Sequence, residues 1–309
     1  MRVSFLGKGG SGKTTVASAF IEYLNRKNQN VVAIDADMNV HLGEELNISV
    51  KPIGDEFSEI SKYLENDSKN PIIGTTVPSL SSKFISSNLD DEFFKKFATR
   101  KDNTVLLTVG SYNDKLIGSS CYHSKLGGAE LIYNRLLDDD NLFVVSDSTA
   151  GVDSVGTSMF FVSDINVFVV EPTQKSIGVY KDFERLSKRF NLKTYVIGNK
   201  INDEDDLIFL KNEIQEENFL GYIGISKDMK KYEQGKEKNI EGFLDENTEV
   251  FEKLISLLKN TPRDWEKYYR IALEVYITNC FDWYNSYYND NLLQYIDHDF
   301  TYKKVIDKL

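Results

Sequence analysis

The chain has 309 residues, 41% of them hydrophobic, enough for one large α/β core with an appendage. A formal net charge of −11 argues against general affinity for nucleic acid or an anionic membrane surface. Cys121 and Cys280 alone suggest no disulfide framework and fit a reducing cytoplasm, the start of the chain does not have the pattern of an export signal, and no apolar stretch approaches the ~20 residues of a bilayer span.

Val3-Ser4-Phe5-Leu6 reads as a short buried strand. Gly7-Lys8-Gly9-Gly10-Ser11-Gly12-Lys13-Thr14-Thr15 follows, with the Gly7-x4-Gly12-Lys13-Thr14 spacing of a phosphate-binding loop. Glycines let the backbone curl so that the N–H groups of Gly9, Gly10, Ser11, Gly12 and their neighbours face phosphate oxygens. Lys13 brings a cation to the terminal phosphates, Thr14 offers a hydroxyl to Mg2+, and Thr15 continues the cradle. Val16, Ala17, Ala19, Phe20, Tyr23 and Leu24 then recur at helical spacing, so the positive end of a helix points at the same place. Lys8 is a second lysine at the outer edge of the loop, where a neighbouring molecule could meet it.

Further strand-like runs lie at Val31–Ile34, Val105–Val109, Leu142–Ser146, Val167–Val170, Tyr195–Ile197 and Phe219–Ile223. Helical patterns between most of them predict a mainly parallel sheet covered on both faces, with ligands beyond the carboxyl ends of the strands. After the second strand, Asp35 and Asp37 offer two carboxylates one residue apart. One fixes a Mg2+-bound water or the loop, and the other orients an attacking water. Residues 48–103 are polar, with Pro52, Pro71 and Pro78, and read as a helical and loop excursion. After the third strand come Cys121-Tyr122-His123 and a helix expected from about Ala129.

The fourth strand ends in Ser146-Asp147-Ser148-Thr149-Ala150-Gly151, a Walker B pattern. Asp147 would hold the Mg2+ shell, and the Gly151 N–H stands where it can sense a γ-phosphate. Asn199-Lys200 after the sixth strand stands where the base is recognised. Guanine readers use Asn-Lys-x-Asp; here Asp203 comes one residue late, which favours ATP. From Thr261-Pro262 onward, Trp265, Tyr268, Tyr269, Leu273, Tyr276, Cys280, Trp283, Tyr284, Tyr287 and Tyr288 follow helical spacing, and a second short helix is expected from about Leu292. This extension, 261–309, packs on its own domain, 1–260, or forms a dimer or partner surface. Six Lys/Arg against eight Asp/Glu in 262–309 make membrane docking the weakest of these readings.

Together the loop from Lys8 to Thr14, the Asp35-x-Asp37 pair and Asp147-x-x-Ala150-Gly151 resemble the deviant Walker A ATPases, the group that includes MinD, ParA and the nitrogenase iron protein. The resemblance covers roughly 1–260 and implies a P-loop NTPase fold of the SIMIBI type and a homodimer formed on ATP binding. It also implies slow Mg2+-dependent hydrolysis, with Lys8 reaching the partner's ATP, Asp37 orienting water and Asp35 near the Mg2+ shell. A narrower resemblance is to CooC-type ATPases, which assist nickel insertion into carbon monoxide dehydrogenase and carry a metal-binding Cys-x-Cys. Here the pair is Cys121-x-His123; two such pairs in a dimer would suit Zn2+ or Ni2+. Met38 stands where a proline is usual, Thr149 where CooC-type proteins often carry an acid, and Asp153-Ser154 replaces their Glu-His. A client protein is the partner this resemblance implies. The alternatives are a MinD/ParA-like positioning ATPase and a nucleotide-sensing partner protein without a metal site, whose output surface is the aromatic tail.

Overall fold

The computed structural model describes residues 1–66, 68–112, 122–237 and 239–308. In chain order the elements are β1 (Arg2–Gly7), α1 (Lys13–Arg26), β2 (Asn30–Asp35), α2 (Leu42–Glu45), α3 (Phe57–Leu64), α4 (Glu92–Phe97), β3 (Thr99–Lys101), β4 (Thr104–Thr108) and α5 (His123–Arg135). There follow β5 (Leu142–Asp147), β6 (Ile165–Val170), α6 (Gln174–Ser187), β7 (Thr194–Ile201), α7 (Glu204–Glu213), β8 (Phe219–Gly224), α8 (Lys227–Glu233), α9 (Glu241–Glu246) and α10 (Thr248–Lys259). The last are α11 (Trp265–Asn279), α12 (Asn285–Tyr288) and α13 (Tyr302–Ile306).

The strands form one sheet in the order β3-β4-β2-β5-β1-β6-β7-β8, parallel except for the β3/β4 edge pair. Strand residues alternate between two faces. Val3, Phe5, Val31, Ala33, Val145 and Val167 join α1 and α10 in one apolar cluster. Val32, Ile34, Leu107 and Val144 meet α3, α4 and α5 on the opposite face. Leu6, Phe168, Val170 and Val196 meet α6, α7 and α11 there. Coverage on both sides is why these strands read as continuous apolar runs. β1 connects to β2 two places away, β5 returns into the gap, and β6 lies on the other side of β1. This reversal of strand order opens a crevice at the carboxyl ends, where the polar segments after β1, β2 and β5 collect.

The expected mainly parallel sheet and C-terminal helices are therefore present, with three differences. β3 was not expected; it pairs antiparallel with β4 through a turn in which Asp102 takes a positive φ of 50°. α5 starts at His123 rather than near Ala129. Its paired glycines let neighbours come close: a Cβ on Gly127 would lie 3.3 Å from the Phe57 ring, and one on Gly128 the same distance from Ile60. Asn199 and Lys200 lie within β7, not after it.

The tail is anchored through buried charge as well as apolar packing. Arg2, fully buried, donates to Asp138 at 2.7 Å and to the Leu136 carbonyl at 2.6 Å, and its guanidinium lies 5.5 Å from the Tyr268 ring of α11. Arg263 pairs with Asp164 at 2.9 Å. Burial would raise the Asp138 carboxyl, but Arg2 and Arg263 outweigh it and hold it well below the usual range. Tyr268, Ile271, Ala272, Tyr276 and Cys280 are the buried stripe of α11 and of the turn that follows it. Among the described residues no helix is long and apolar enough to cross a membrane.

Candidate functional site

Between β1 and α1 the chain turns sharply, with the Ser11 N–H donating to the Lys8 carbonyl at 3.0 Å. Gly12 sits at φ +90°, and a Cβ there would come within 2.3 Å of Asn199 Nδ2, so only glycine fits. Asn199 donates from Nδ2 to the Ser11 carbonyl at 2.8 Å. Lys200 donates to the Gly10 carbonyl at 2.6 Å and pairs with Glu171 at 2.8 Å. β7 thus braces the loop from behind, while the unpaired N–H groups at the start of α1 face its concave side.

Four polar side chains, two from the first turn of α1, one just after β2 and one at the end of β5, meet beside this loop. Lys13, 6% exposed, forms an ion pair with Asp37 and lies 3.6 Å from Asp147. Burial would lower its pKa; Asp147 and Asp37 outweigh that and raise it. Thr14 donates to Asp147 Oδ2 at 2.6 Å. Asp147 is fully buried, and burial pushes its carboxyl up to about 6 even though Lys13 and Thr14 oppose the shift. Asp35, its register partner on β2, is pushed up to about 8 by burial and by the Asp147 charge. Asp35 accepts the backbone N–H groups of Asp37 at 3.3 Å and Leu42 at 3.2 Å, so both of its oxygens brace its own loop.

A divalent cation fits here. Asp147 Oδ1 is buried and accepts no hydrogen bond, and the Thr14 hydroxyl is beside the same carboxylate. Hard oxygen donors of this kind suit Mg2+, which takes one or two carboxylates and completes its shell with phosphate oxygens and water. Among the described residues no group of three or more His, Cys, Asp or Glu is arranged to hold a metal by protein ligands alone. Cys121 lies outside the described residues, and His123 is placed only as the first residue of α5. The expected transition-metal pair therefore has no geometry here.

Beyond the loop a cleft of about 670 Å3 runs between Lys13, Thr14 and Asp37 on one side and Ile225, Met229 and Glu233 on the other. The sequence reading missed this second wall, which comes from the segment after β8 and from α8. It missed Glu45 too. Glu45 accepts hydrogen bonds from Ser18 and, at 3.4 Å, from Thr15, which also donates to Glu233 at 3.3 Å. No local motif marks these acids; tertiary packing alone brings them together.

Three further residues of the reading, Gly151, Lys8 and Asp203, have these partners. The Gly151 N–H donates to the Gly7 carbonyl at 2.8 Å, so it is engaged with the loop instead of free to meet a phosphate. Lys8 lies at the rim, partly exposed, and among the described residues it donates to the neighbouring Gly9 carbonyl at 3.4 Å. Asp203 caps α7 by accepting the Asp206 N–H at 3.1 Å, which occupies the carboxylate that a guanine reader would need.

Residues 5–240 match the model of the CobQ/CobB/MinD/ParA nucleotide binding domain. An uncharacterized ATP-binding protein of Methanocaldococcus jannaschii is 27% identical over 232 residues, covering 75% of this chain and 90% of that protein. The carbon monoxide dehydrogenase accessory protein CooC of Rhodospirillum rubrum is 25% identical over 228 residues, 72% of this chain and 83% of CooC. Among solved structures, a putative plasmid partition protein from Borrelia burgdorferi bound to AMPPNP superposes with a TM-score of 0.55 at 14% identity, covering 83% of this chain and 98% of that one. That likeness is one of fold.

Proposed function

This chain belongs to the CobQ/CobB/MinD/ParA nucleotide-binding family, and on that premise we propose that it binds ATP with Mg2+, hydrolyses it slowly, and uses the nucleotide to switch between monomer and dimer. The observation that carries this reading is the meeting of Lys13, Thr14, Asp37 and Asp147 within ion-pair or hydrogen-bond reach beside the glycine loop. The loop amides and the α1 N-terminus hold the phosphates, and Lys13 offsets their charge. Mg2+, when bound by Thr14 and Asp147, would supply positive charge to the phosphate oxygens. Asp37 holds and orients water. Its Oδ1 accepts from the Asn39 backbone and side chain at 3.1 and 3.2 Å, which fixes its direction. Asn199 and Lys200 set the shape of the loop on the base side, and the capping role of Asp203 favours ATP over GTP.

The test is ATP affinity with Lys13→Ala. Loss of a buried charge-assisted contact should weaken binding by about tenfold to a hundredfold, with the circular dichroism spectrum unchanged. Wild-type affinity in that variant sinks the reading.

The finer proposal is an accessory role in assembling a metal centre on a client protein. It rests on the CooC relative and on the Cys121-x-His123 pair. Zn2+ or Ni2+ would then be cargo, shared between two copies. Metal analysis of the dimer with ATP and with ADP tests it: a stoichiometric metal lost in Cys121→Ser supports the role, and no metal in either state rejects it.

A further inference from the structure

α11 carries its aromatic stripe past the point where the fold covers it. Up to Cys280 the stripe is buried, with Tyr268, Tyr276 and Cys280 each at most 5% exposed. The helix continues through a π-helical turn, Cys280–Tyr284, into α12. Trp283 and Tyr287 continue the same three-to-four-residue spacing, yet they are 71% and 80% exposed. The chain reverses at Asn289, at a positive φ of 48°, and returns along α11, where Phe300 packs on Tyr269. The aromatics therefore crown the tip of an out-and-back helical excursion.

That tip is an ordered platform. Asn285 accepts the Leu292 N–H at 3.0 Å, Asp290 accepts the Tyr295 hydroxyl at 2.9 Å and the Gln294 amide at 2.8 Å, and the Tyr287 and Tyr288 rings meet edge to face at 5.1 Å. Its own stretch of chain has charge of one sign, with Glu274 at its start paired to Arg189 at 3.2 Å. From Ile271 to Tyr302 the chain has no Lys or Arg, while Glu274, Asp282, Asp290, Asp297 and Asp299 are all acidic. Trp283 and Tyr287, four apart, share one face of the helical turn, and the Tyr288 ring meets Tyr287; exposed aromatics on a rigid support are what interface hot spots are made of. The acidic surround selects a cationic occupant, through charge complementarity and through stacking of guanidinium groups on Trp and Tyr faces.

We propose that Trp283, Tyr287 and Tyr288 form a docking surface for a basic, arginine-bearing segment of a partner protein. The proposal does not depend on the nucleotide reading, because none of these residues lines the cleft.

The test uses the full chain and a labelled synthetic peptide of alternating Arg and Leu, with a Glu-for-Arg peptide as control. Fluorescence anisotropy should show saturable binding of the Arg peptide only, and the bound peptide should shield Trp283 from iodide quenching. The double variant Trp283→Ala/Tyr287→Ala keeps every charge and should lose at least about tenfold in affinity while its ATP affinity stays unchanged. Equal binding by the double variant means attraction to a generally acidic surface and overturns the proposal, as does failure of the Arg peptide to bind. Two further results overturn it in favour of another occupant: self-association of the wild type that the double variant lacks, and Trp283-dependent cosedimentation with phosphatidylcholine vesicles.

Discussion

Glu45 sits on the wall of the cleft between Ser18 and Thr15 of α1, facing Glu233 of α8 and the Asp147 charge at the end of β5. Burial, with those like charges adding to it, pushes its carboxyl from 4.5 up to about 7 against the Ser18 and Thr15 hydrogen bonds. Below the lower value the group is protonated whether the chain is folded or not, and it costs nothing. As pH rises the unfolded chain ionises first, so the folded state loses ground until about pH 7 and then holds a constant penalty. Glu45→Gln should therefore be more stable than wild type by on the order of 1–2 kcal/mol at about pH 8, with no gain near pH 4, as read from urea denaturation across that range. Equal stability at the higher pH would mean that the carboxylate is not penalised. Asp37 has a different relation to charge, since it shares Lys13 with any phosphate brought onto the loop. Asp37→Asn frees the ammonium, so ATP affinity should hold or rise while single-turnover hydrolysis falls about 10²–10³-fold. Parallel losses in affinity and rate would place Asp37 in binding and not in water positioning. The glycine loop, Lys13, Thr14 and Asp147 were legible in the sequence because phosphate chemistry fixes both residue type and spacing. Glu45 and Glu233 were not, because helices far apart in the chain bring them together.

At the scale of elements, legibility followed burial. The seven strands expected as apolar runs are all present, and those inside the sheet are covered on both faces and so are apolar almost throughout, while β8 at the edge still buries Leu220 and Ile223. β3 escaped because Thr99-Arg100-Lys101 lies at an edge and carries no apolar run. The start of α5 escaped because Gly127-Gly128 reads locally as a break, while packing against Phe57 and Ile60 makes small residues an advantage there. Just ahead of that helix, Tyr122 joins two elements that the sequence gives no reason to connect. Its hydroxyl donates to the Ala36 carbonyl at 3.1 Å, between Asp35 and Asp37, and its buried ring lies 6.1 Å from that of Tyr112. The loop after β2 is thereby tied to the approach to α5. Tyr122→Phe keeps the ring and removes the tie, at a stability cost of about 1 kcal/mol. The expected kinetic result is a several-fold lower kcat with ATP affinity unchanged, and Tyr122→Ala, which also removes the ring, should lose far more stability. A Phe variant with wild-type kcat would leave the tyrosine a packing role alone.

The whole molecule raises the question of what Lys8 does. Among the described residues it forms no ion pair, whereas Lys13, five positions later, is enclosed by two carboxylates. A lysine placed at the rim of a phosphate loop and left with one weak contact to its own neighbour does not stabilise the monomer it belongs to. Its ammonium lies beside the Gly9 carbonyl, where Gly9 and Gly10 are exposed, so a second copy meeting the loop there would bring its own phosphates within reach. Two copies each carrying a net charge of −11 repel one another, and a lysine-to-phosphate contact across the interface would offset part of that repulsion only when nucleotide is present. Under the proposed function, nucleotide would then control assembly through electrostatics, without a change in the core of either copy. Lys8→Ala should bind ATP as the wild type does, but remain monomeric in sedimentation velocity with ATP and Mg2+, and lose most turnover. Lys13→Ala should also stay monomeric at an ATP concentration that just saturates the wild type, for the different reason that it binds the nucleotide more weakly. Salt separates the two forces at work: it screens the repulsion between copies, so adding it should partly restore assembly of the Lys8 variant without restoring turnover. A Lys8→Ala protein that assembles and hydrolyses ATP at the wild-type rate removes the lysine from the partner's site and leaves each copy to act alone.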